Sequence, residues 1–413
     1  MPGTVGRDYR DIDFDTSIPQ AKLDIEAGRR TNALPWRGQF SPELVNILLD
    51  TYAVEGGLVV DPFCGSGTTM IESSAGGWPS YGIELNPSAF ILSRLYTLGD
   101  NDITEVIQAL GNVNARIMAK EMASENATSL LEAIEESEGS AEKYIAEAIF
   151  LLTLKNGDSV SAKNLDKAVA QVSKLIYQLS AKRMPIFVDL GDSRHIALED
   201  GRASTVLTSP PYVNVFNYHQ NYRKAVELLG WEVLPAARAE FGSNRKHRQN
   251  RFLTVTQYAQ DIGQTLAETA RVVKPGGTSV WVVGRESNVR ESAIPNPQIV
   301  YEMAARGGLR LVAKHERKFR SRYGELVYED ILVFSHPEKA KISFLEADIT
   351  QMGREVGVSV LSALVPADEA RGKEIEEAIL KSEMIEPSPK PLHVSTKAAL
   401  PDLGCVAGMR EPA

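Results

Sequence analysis

Cysteine is scarce in this sequence, since its 413 residues include only Cys64 and Cys405. Two cysteines so far apart exclude a scaffold held together by many disulfides. Residues 1–18 contain no apolar run that could serve for export or for insertion into a membrane. These absences predict a reducing, cytoplasmic setting, and we expect neither a membrane nor a metal as a partner.

Positive charge is also in deficit. The chain has 45 lysines and arginines against 54 aspartates and glutamates, which gives a net charge of −9. A protein that coats nucleic acid without selection needs many phosphate contacts from lysine and arginine, so this class is disfavoured, although a local basic face is allowed. With 43% hydrophobic and 24% charged residues, most of the chain is expected to fold.

A glycine turn after a strand is the first motif that is present. Residues 58–60 predict a buried strand, which runs into the sequence Asp-Pro-Phe-Cys-Gly-Ser-Gly-Thr-Thr at 61–69 and then into a helix. This succession is typical of nucleotide binding in α/β sheets, because glycines let a ligand approach backbone N–H groups closely. A glycine turn at this place can also serve packing alone.

An acidic residue ends the next predicted strand. Residues 81–83 lead into Glu84, and Asn86 with Pro87 opens the following helix. A carboxylate roughly 20 residues after the glycines is placed to accept hydrogen bonds from the two hydroxyls of a ribose. The alternative is an exposed charge at a strand end.

Two consecutive prolines end a later strand. The apolar run 204–207 precedes the sequence Thr-Ser-Pro-Pro-Tyr at 208–212, and the prolines stop both strand and helix because they lack backbone N–H groups and fix φ. The turn is therefore a rigid rim that carries a hydroxyl, free carbonyls and an aromatic ring. Such a rim suits a planar group with an amine, although proline turns also simply separate elements.

The remaining pattern predicts an α/β domain with one long insertion. A helix begins with Ser41 as N-cap and Pro42 as its first residue, and the helical block 101–183 is too long for a simple crossover. Further strands are expected at 186–188, 279–283, 310–313 and 328–334, and helices at 103–121, 129–136, 141–154, 162–182, 218–230, 254–273, 297–306, 342–352 and 368–380.

Five segments follow from this pattern. They are an N-terminal arm with little fold of its own (1–33), the first part of the domain (34–100), the helical insertion (101–183), the second part of the domain (184–337), and a C-terminal helical extension with a flexible tail (338–413). The sheet is expected to be mixed, with about seven strands. Because ligands bind at the carboxyl ends of such strands, the glycine turn, Glu84 and the Pro-Pro turn should face one cleft.

Two stretches are rich in basic residues without acidic partners. One follows the Pro-Pro turn and the other precedes the last strand. Both are expected in loops, where a run of like charge is hard to explain by solvation alone. We therefore expect nucleic-acid contacts from Arg245, Lys246, Arg248, Arg251, Lys318, Arg320 and Arg322.

The glycine turn and the Pro-Pro turn together resemble those of the S-adenosylmethionine-dependent DNA amino-methyltransferases, closest to the cytosine-N4 group. The resemblance runs from Trp36 to Phe334 without the insertion. It implies a Rossmann-like methyltransferase fold and S-adenosyl-L-methionine as the cofactor. The cofactor-binding residues that it implies are Gln39, Phe40, Asp61, Phe63, Gly65, Ser66, Gly67, Thr68, Glu84, Asn86, Asp192 and Ser193.

The same resemblance assigns the target base to the Pro-Pro turn, with Ser209, Pro210, Pro211 and Tyr212 as catalytic residues. Serine at position 209 is usual in cytosine-N4 enzymes, where adenine-N6 enzymes mostly have aspartate. The Ser209 hydroxyl and the Pro210 carbonyl would accept hydrogen bonds from the amine. The Tyr212 ring would stack on the base after it has left the duplex. No cysteine nucleophile is required, so Cys64 is expected to be a packing residue.

The function that this resemblance implies is methylation of cytosine N4 in duplex DNA, with a cognate restriction endonuclease as a candidate partner. Adenine-N6 methylation is one alternative. Methylation of guanine N2 in tRNA or rRNA is another, because there too the glycine motif precedes the Pro-Pro turn in some enzymes. A non-catalytic nucleic-acid-binding protein is a third, which the intact Gly65, Glu84 and Ser209 disfavour.

Overall fold

The chain folds around one seven-stranded sheet, seen in a computed structural model that describes residues 8–25, 32–121, 127–154, 160–179, 184–214, 217–243, 246–321, 324–338, 342–345 and 348–391. Its strands are β1 Val59–Asp61, β2 Ser80–Glu84, β3 Ile186–Leu190, β4 Ala203–Thr208, β5 Val273–Gly284, β6 Ser287–Val289, β7 Ser292–Ile294, β8 Arg310–Arg320 and β9 Leu326–Ser335. The order across the sheet is β3-β2-β1-β4-β5-β9-β8, and β6 and β7 form a separate hairpin.

The sheet is mixed. β1 to β5 run parallel, whereas β9 is antiparallel to both β5 and β8. The central strands β1 and β4 are buried along their whole length, which is the expected state of parallel strands covered on both faces. The predicted Rossmann-like α/β fold is therefore confirmed.

Helices pack against this sheet and against one another. They are α1 Gln20–Leu23, α2 Pro42–Tyr52, α3 Thr68–Gly76, α4 Pro87–Ser93, α5 Ile103–Glu121, α6 Ala127–Glu135, α7 Gly139–Thr153, α8 Ala162–Leu179, α9 Arg223–Leu228, α10 Val233–Ala239, α11 Leu253–Val272, α12 Asn296–Arg306, α13 Ile349–Ser362 and α14 Glu369–Leu380. α2 begins at Pro42 as predicted, but the hydroxyl of Ser41 donates to the Glu43 carboxylate and caps no backbone N–H group.

The predicted helical insertion consists of α5 to α8, and each helix overlaps its predicted range. The buried side chains of these helices, among them Phe150 and Ile176, join Met70 of α3 and Ile91 of α4 in one hydrophobic cluster. A buried ion pair between Arg94 and Glu147 ties α7 to the chain that follows α4. The insertion therefore shares a core with the part of the domain that carries the glycine turn.

The last two strands are longer than predicted. β8 and β9 pair from Arg310 opposite Ser335 to Arg320 opposite Leu326, where two short strands and a long loop are expected from the sequence. The expectation that Lys318 and Arg320 lie in a loop is therefore wrong. The charged residues made this strand look like a loop in the sequence. In the structure Lys314 and Arg317 are buried, and both donate hydrogen bonds to residues distant in sequence. Lys246, Arg248 and Arg251 do lie in a loop, as expected, whereas Arg238 of the same basic stretch lies in α10, so the loop expectation is wrong for that residue.

The helix predicted at 218–230 is also wrong in part. A 3₁₀ turn at Tyr218–Gln220 comes first, and α9 begins only at Arg223. Between them Tyr222 has φ 56°, a left-handed conformation that interrupts a helix. Because of this break, the chain after the Pro-Pro turn forms several short helical elements instead of one continuous helix.

The N-terminal arm lies along the edge strand β8. The Asp15 backbone N–H donates to the Lys314 carbonyl at 2.6 Å, and Gln20 Nε2 donates to the Glu316 carbonyl at 2.9 Å. Its own regular structure amounts to short helical turns, and Leu23 is buried. The arm thus covers backbone groups that an open edge would offer to another chain.

The C-terminal extension packs on α11. Gly353 and Gly357 let α13 approach closely, since a Cβ on Gly353 would lie 2.7 Å from the backbone of Gln260. The segment 385–391 then returns toward the domain, and Ser388 is buried there. The tail predicted beyond this point falls on residues 392–413, outside the described residues.

Phe150→Ala tests whether the insertion and the domain share a core. The change removes a side chain that is 1% exposed and should lower the free energy of unfolding by about 3–5 kcal/mol. All four tryptophans, Trp36, Trp78, Trp231 and Trp281, lie outside the insertion. In a urea titration, tryptophan fluorescence and circular dichroism should therefore show the same transition, shifted to lower urea.

The matched control for this change is Met118→Ala, on the exposed side of α5, which should leave the urea midpoint unchanged. Two separate transitions, with the fluorescence transition unmoved by Phe150→Ala, would contradict a shared core.

Candidate cofactor and substrate cleft

A cleft opens at the carboxyl ends of the parallel strands, where open α/β sheets bind their ligands. Its free space is about 920 Å³, part of which is open to solvent. Gly65 of the glycine turn, Glu84 of β2 and Ser209 of the Pro-Pro turn all line it. The three strand-end motifs therefore meet in one cleft, as their positions in the sequence predict.

Most of the predicted site residues line this cleft. Among the expected cofactor residues the exception is Gly67. Among the expected catalytic residues, Ser209 and Pro211 line the cleft, whereas Pro210 and Tyr212 do not. The residues brought together are Gln39, Phe40, Asp61, Phe63, Gly65, Ser66, Thr68, Glu84, Asn86, Asp192, Ser193, Ser209 and Pro211.

Gly67 shapes the cleft through its backbone. It has φ 88° and precedes the first residue of α3, and a Cβ there would lie 2.7 Å from the ring of Tyr96. Gly65 also has a positive φ, of 53°, and packs below the ring of Trp36. Any larger residue at Gly67 would strain the backbone and displace a buried ring, so this turn requires glycine.

Asp61 fixes the end of β1 to the end of β4. Its Oδ1 accepts a hydrogen bond from Thr208 Oγ1 at 2.6 Å and another from the Phe63 backbone N–H at 3.0 Å. Burial raises the pKa of Asp61 to about 6, against the opposing effect of these hydrogen bonds. The carboxylate thus ties the glycine turn to the strand that carries the Pro-Pro turn.

Glu84 holds the glycine turn from the other side. Its two carboxylate oxygens accept hydrogen bonds from the backbone N–H groups of Gly65, at 2.8 Å, and of Asn86, at 2.7 Å. Burial raises the pKa of Glu84 to about 7. Because each oxygen accepts only one of these bonds, a lone pair on each is left for the hydroxyls of a ligand.

A loop before α2 closes the wall beside the glycine turn. Gln39 Nε2 donates to the Leu34 carbonyl at 2.5 Å and also to Ser66 Oγ. Thr68 Oγ1 donates to Asn32 Oδ1 at 2.9 Å. These contacts hold the loop on the glycine turn and explain why Gln39 lies at the cleft.

Asp192 enters the cleft as a neutralised carboxylate. Arg194 Nη2 donates to Asp192 Oδ2 at 2.6 Å, and Arg194 Nη1 lies 3.0 Å from Asp261 Oδ1, so one guanidinium joins two buried carboxylates. Ser193 shares a hydrogen bond of 3.1 Å with Thr265. A ligand amine at Asp192 would therefore share this carboxylate with Arg194.

Ser209 has a hydrogen-bonded support behind the cleft. The Tyr212 hydroxyl donates to Glu329 Oε1 at 3.4 Å and lies 3.2 Å from Ser209 Oγ. Burial raises the pKa of Tyr212, so the phenol keeps its proton. Either oxygen of the Ser209–Tyr212 contact can donate; if the single phenol proton goes to Glu329, the Tyr212 oxygen accepts the proton of Ser209. The lone pairs of Ser209 are then left to face the cleft.

The Tyr212 ring forms the back of this support. It packs on Gly284 of β5, where a Cβ would lie 2.6 Å from the ring, and so lies behind Ser209. The Pro211 carbonyl accepts a hydrogen bond from the Tyr258 hydroxyl at 2.8 Å, which anchors the turn on α11. Among the described residues, none donates to the Pro210 carbonyl.

Several cleft residues have no role in the sequence analysis. The Phe63 and Phe241 rings meet edge to face at 5.5 Å. Glu240 accepts hydrogen bonds from the backbone N–H of His219 at 2.5 Å and from its Nδ1 at 2.6 Å. The missed residues are Trp36, Tyr218, Glu240 and Phe241. Trp36 stood at the edge of the resemblance and could have been found, but the other three lie in a segment without a motif.

The residues expected to contact nucleic acid have different surroundings. Arg245 and Arg322 lie outside the described residues. Lys246 is largely buried, whereas the exposed members of this set are Arg248, Lys318 and Arg320. Arg251 Nη1 lies 3.4 Å from Asn214 Oδ1. Only part of the predicted basic surface is therefore open to a large partner.

Three other expectations concern a metal, a membrane and the role of Cys64, which also lines the cleft. Cys64 is buried beside Gly82 in the cluster that contains Met70, which is the expected packing role. In the part of the chain that the structure describes, no group of three or more histidine, cysteine or acidic residues could hold a metal ion. No helix there is both long and apolar enough to cross a membrane.

Comparison with known proteins finds a family match over one segment of the chain. Residues 21–93 match the family described as DNA methylase, of the N6/N4 methyltransferase type. Over 61 residues the chain is 34% identical to the Type II methyltransferase M.MjaII of Methanocaldococcus jannaschii, a match that covers 15% of this chain and 12% of that protein. The resemblance to DNA amino-methyltransferases is thus confirmed for the N4 and N6 types taken together, without a choice between them.

The methylase segment, residues 21–93, contains the glycine turn and Glu84, whereas the Pro-Pro turn lies outside it. Solved structures were also compared. An S-adenosylmethionine-dependent methyltransferase from Methanosarcina mazei is 9% identical, with 71% of this chain and 98% of that chain covered and a TM-score of 0.35. The geranyl diphosphate C-methyltransferase of Streptomyces coelicolor A3(2) is 9% identical, with coverage of 71% and 78% and a TM-score of 0.32. The fold assignment rests on the strand order, not on these low scores.

Glu84→Gln tests the ribose role of the acidic strand tip. Because the pKa of Glu84 is about 7, its carboxylate is mostly protonated at pH 6 and mostly ionised at pH 8. An ionised acceptor binds hydroxyls better, so affinity for S-adenosylmethionine should rise about tenfold over this range. Isothermal calorimetry should show a weak and pH-independent affinity for the variant, and an unchanged pH profile for the exposed control Glu232→Gln.

The stability of the folded protein should change with pH in the opposite direction to its affinity for the cofactor. Since the folded pKa lies above the ordinary value of 4.5, the stabilising contribution of Glu84 is complete below that value and is lost as the pH rises through about 7. As the pH rises through this range, the melting temperature of the ligand-free protein should therefore fall less in Glu84→Gln than in the wild type. An equal pH dependence of both proteins would contradict the assignment.

Proposed function

We propose that this protein transfers a methyl group from S-adenosylmethionine to the exocyclic N4 amine of a cytosine in duplex DNA. One observation supports this function above others: the Ser209 hydroxyl lies in the same cleft as Gly65 and Glu84. The cleft thus joins the methylase segment to an acceptor for amine protons. The N4 choice rests on serine at position 209, and adenine N6 is the alternative within the same type.

The cleft fits the cofactor. Gly65 lines the cleft and has no side chain, so a ligand can approach the backbone of the glycine turn closely there. Glu84 has lone pairs for ribose hydroxyls, and Asp192 with Phe40 and Phe63 would flank the adenine. When bound, S-adenosylmethionine supplies an electrophilic methyl group on a sulfonium.

The target base would enter beside Ser209. An exocyclic amine is a weak nucleophile because its lone pair is delocalised into the ring. Hydrogen bonds from its two protons to Ser209 Oγ and to the Pro210 carbonyl would draw the nitrogen toward a tetrahedral geometry. Ser209 Oγ and the Pro210 carbonyl would thus hold the two amine protons, one of which would pass to solvent when the nitrogen takes the methyl group from the sulfonium.

The base must leave the duplex to reach this cleft. Unstacking costs a few kcal/mol, which contacts in the pocket have to offset. Tyr218 and Phe241 line the cleft near Ser209 and supply apolar surface for this purpose. The exposed Arg248, Lys318 and Arg320 are proposed to contact the DNA backbone. A cognate restriction endonuclease stays a prediction.

Transfer of labelled methyl groups tests this function. The wild-type protein should label duplex DNA, and nucleoside mass spectrometry should find the label in N4-methylcytosine. Ser209→Ala should abolish most of the labelling and keep cofactor binding. Label in adenine would move the target to N6, label confined to tRNA or rRNA guanine would favour the RNA alternative, and no label in any nucleic acid would contradict the proposal.

Tyr212→Phe tests the support behind Ser209. The variant keeps the ring on Gly284 but removes the oxygen that accepts the Ser209 proton, so Ser209 can turn its own proton toward the amine. We expect kcat to fall about tenfold, the equivalent of one hydrogen bond, with an unchanged KM for S-adenosylmethionine. The control is Tyr177→Phe on the exposed face of α8. An unchanged kcat would show that Tyr212 does not orient Ser209.

A further inference from the structure

A second cavity lies next to the cleft and is rich in positive charge. Its free space is about 970 Å³, and it is more open than the cleft. Three lysine or arginine side chains and two histidines are among its ten lining residues, and none of the ten is a carboxylate. The lining residues are His219, Arg223, Leu234, Ala237, Arg238, Ser243, Lys246, His247, Gln257 and Pro389.

The positive charge of this cavity is only partly neutralised. Arg223 Nε lies 2.8 Å from Glu227, but no carboxylate of a described residue lies within ion-pair distance of Arg238. Lys246 Nζ donates to the Glu240 carbonyl at 2.7 Å and to Ser388 Oγ at 2.5 Å. Both acceptors are neutral, and an ammonium has three protons, so one proton of Lys246 is left for a ligand.

The cavity and the cleft share a thin wall. Neighbouring residues of the chain line opposite sides of it: Tyr218 and Ala236 line the cleft, whereas His219 and Ala237 line the cavity. Glu240 joins the two sides, because it lines the cleft and its carboxylate binds His219. The cleft and the cavity therefore lie side by side, within reach of adjacent parts of one extended ligand.

The C-terminal segment completes this cavity. Ser388 Oγ accepts from Lys246 and donates to Asp261 Oδ2 at 2.5 Å, and Pro389 forms part of the wall. Asp261 in turn binds Arg194 at the cleft. The position of Lys246 is thus fixed by buried groups, so the ammonium has a fixed place, unlike that of a free surface lysine.

We propose that this cavity binds a phosphodiester group of the strand whose target base occupies the cleft, one directly adjacent to that nucleotide. Arg238 and Lys246 are the charged ligands, and Arg223 and the buried His219 also line the cavity. A phosphate is the anion that a polynucleotide places beside every base, and arginine and lysine are its usual ligands. This inference rests on the proposed function and extends it to the backbone of the substrate.

Neutral phosphate substitution tests the inference directly. Once the methylated position in a duplex is known, each phosphate that flanks it is replaced in turn by an uncharged methylphosphonate. In wild-type protein, one adjacent position should lower kcat/KM about tenfold. In Arg238→Gln the same replacement should lower kcat/KM less than about twofold. The arginine that would bind the phosphate charge is already absent in this variant, so removal of that charge has little further effect.

The matched control is Arg310→Gln, an exposed arginine at the start of β8 that does not line the cavity and should keep the full methylphosphonate penalty. Inorganic phosphate at constant ionic strength should compete with DNA in wild-type protein and compete less in Arg238→Gln. The inference is overturned if Arg238→Gln and the methylphosphonate lower kcat/KM independently, so that their effects multiply at every flanking position. It is also overturned if phosphate inhibits both proteins equally. Failure of the proposed function is distinguishable, because then the unmodified duplex accepts no methyl group from the wild-type protein.

Discussion

The hydrogen bond between Thr208 and Asp61 is the interaction on which the cleft depends. The two residues are far apart in sequence, yet they end the adjacent parallel strands β4 and β1, and both are buried. Leaving such a buried polar group without its partner costs about 1–3 kcal/mol, so the two strand ends keep a fixed relation. The glycine turn follows one strand and the Pro-Pro turn follows the other. Their separation across the cleft is therefore set by the sheet and not by the loops themselves.

Other buried charged groups of the domain are likewise held by hydrogen bonds and ion pairs. Asp192 and Asp261 share the guanidinium of Arg194, and Ser388 adds two donors to Asp261. Two carboxylates against one guanidinium leave an excess negative charge, which the ammonium of Lys246 beyond Ser388 partly offsets. Breaking one member of such a network leaves an uncompensated buried charge, so the network specifies one arrangement. In this way the C-terminal segment becomes part of the wall of the cavity next to the cleft.

Local signals in the sequence were sufficient for the parallel half of the sheet. Apolar runs ended by glycine or by two prolines define β1 and β4, and Glu84 follows its strand directly, so the cleft could be predicted from residue order. The failures share a physical cause. Lys314 and Arg317 made β8 look like a loop, because nothing local shows that Tyr9 and Glu329 satisfy them. Glu240, Tyr218 and Ser388 were missed for the same reason, since tertiary contacts alone bring them to the cleft and its neighbour.

In the proposed function, the antiparallel edge of the sheet supports the substrate site as well as the fold. Arg317 of β8 donates to the Leu23 carbonyl of the arm and to one oxygen of Glu329, which leaves the other oxygen for the Tyr212 hydroxyl. The direction of that hydrogen bond decides which way the Ser209 proton points. A strand of charged residues at the edge of the sheet is thus linked, through Glu329 and Tyr212, to the Ser209 hydroxyl, which the proposed function places against the substrate. This explains why Arg317 is buried among partners on an edge strand, where an arginine could otherwise reach solvent freely.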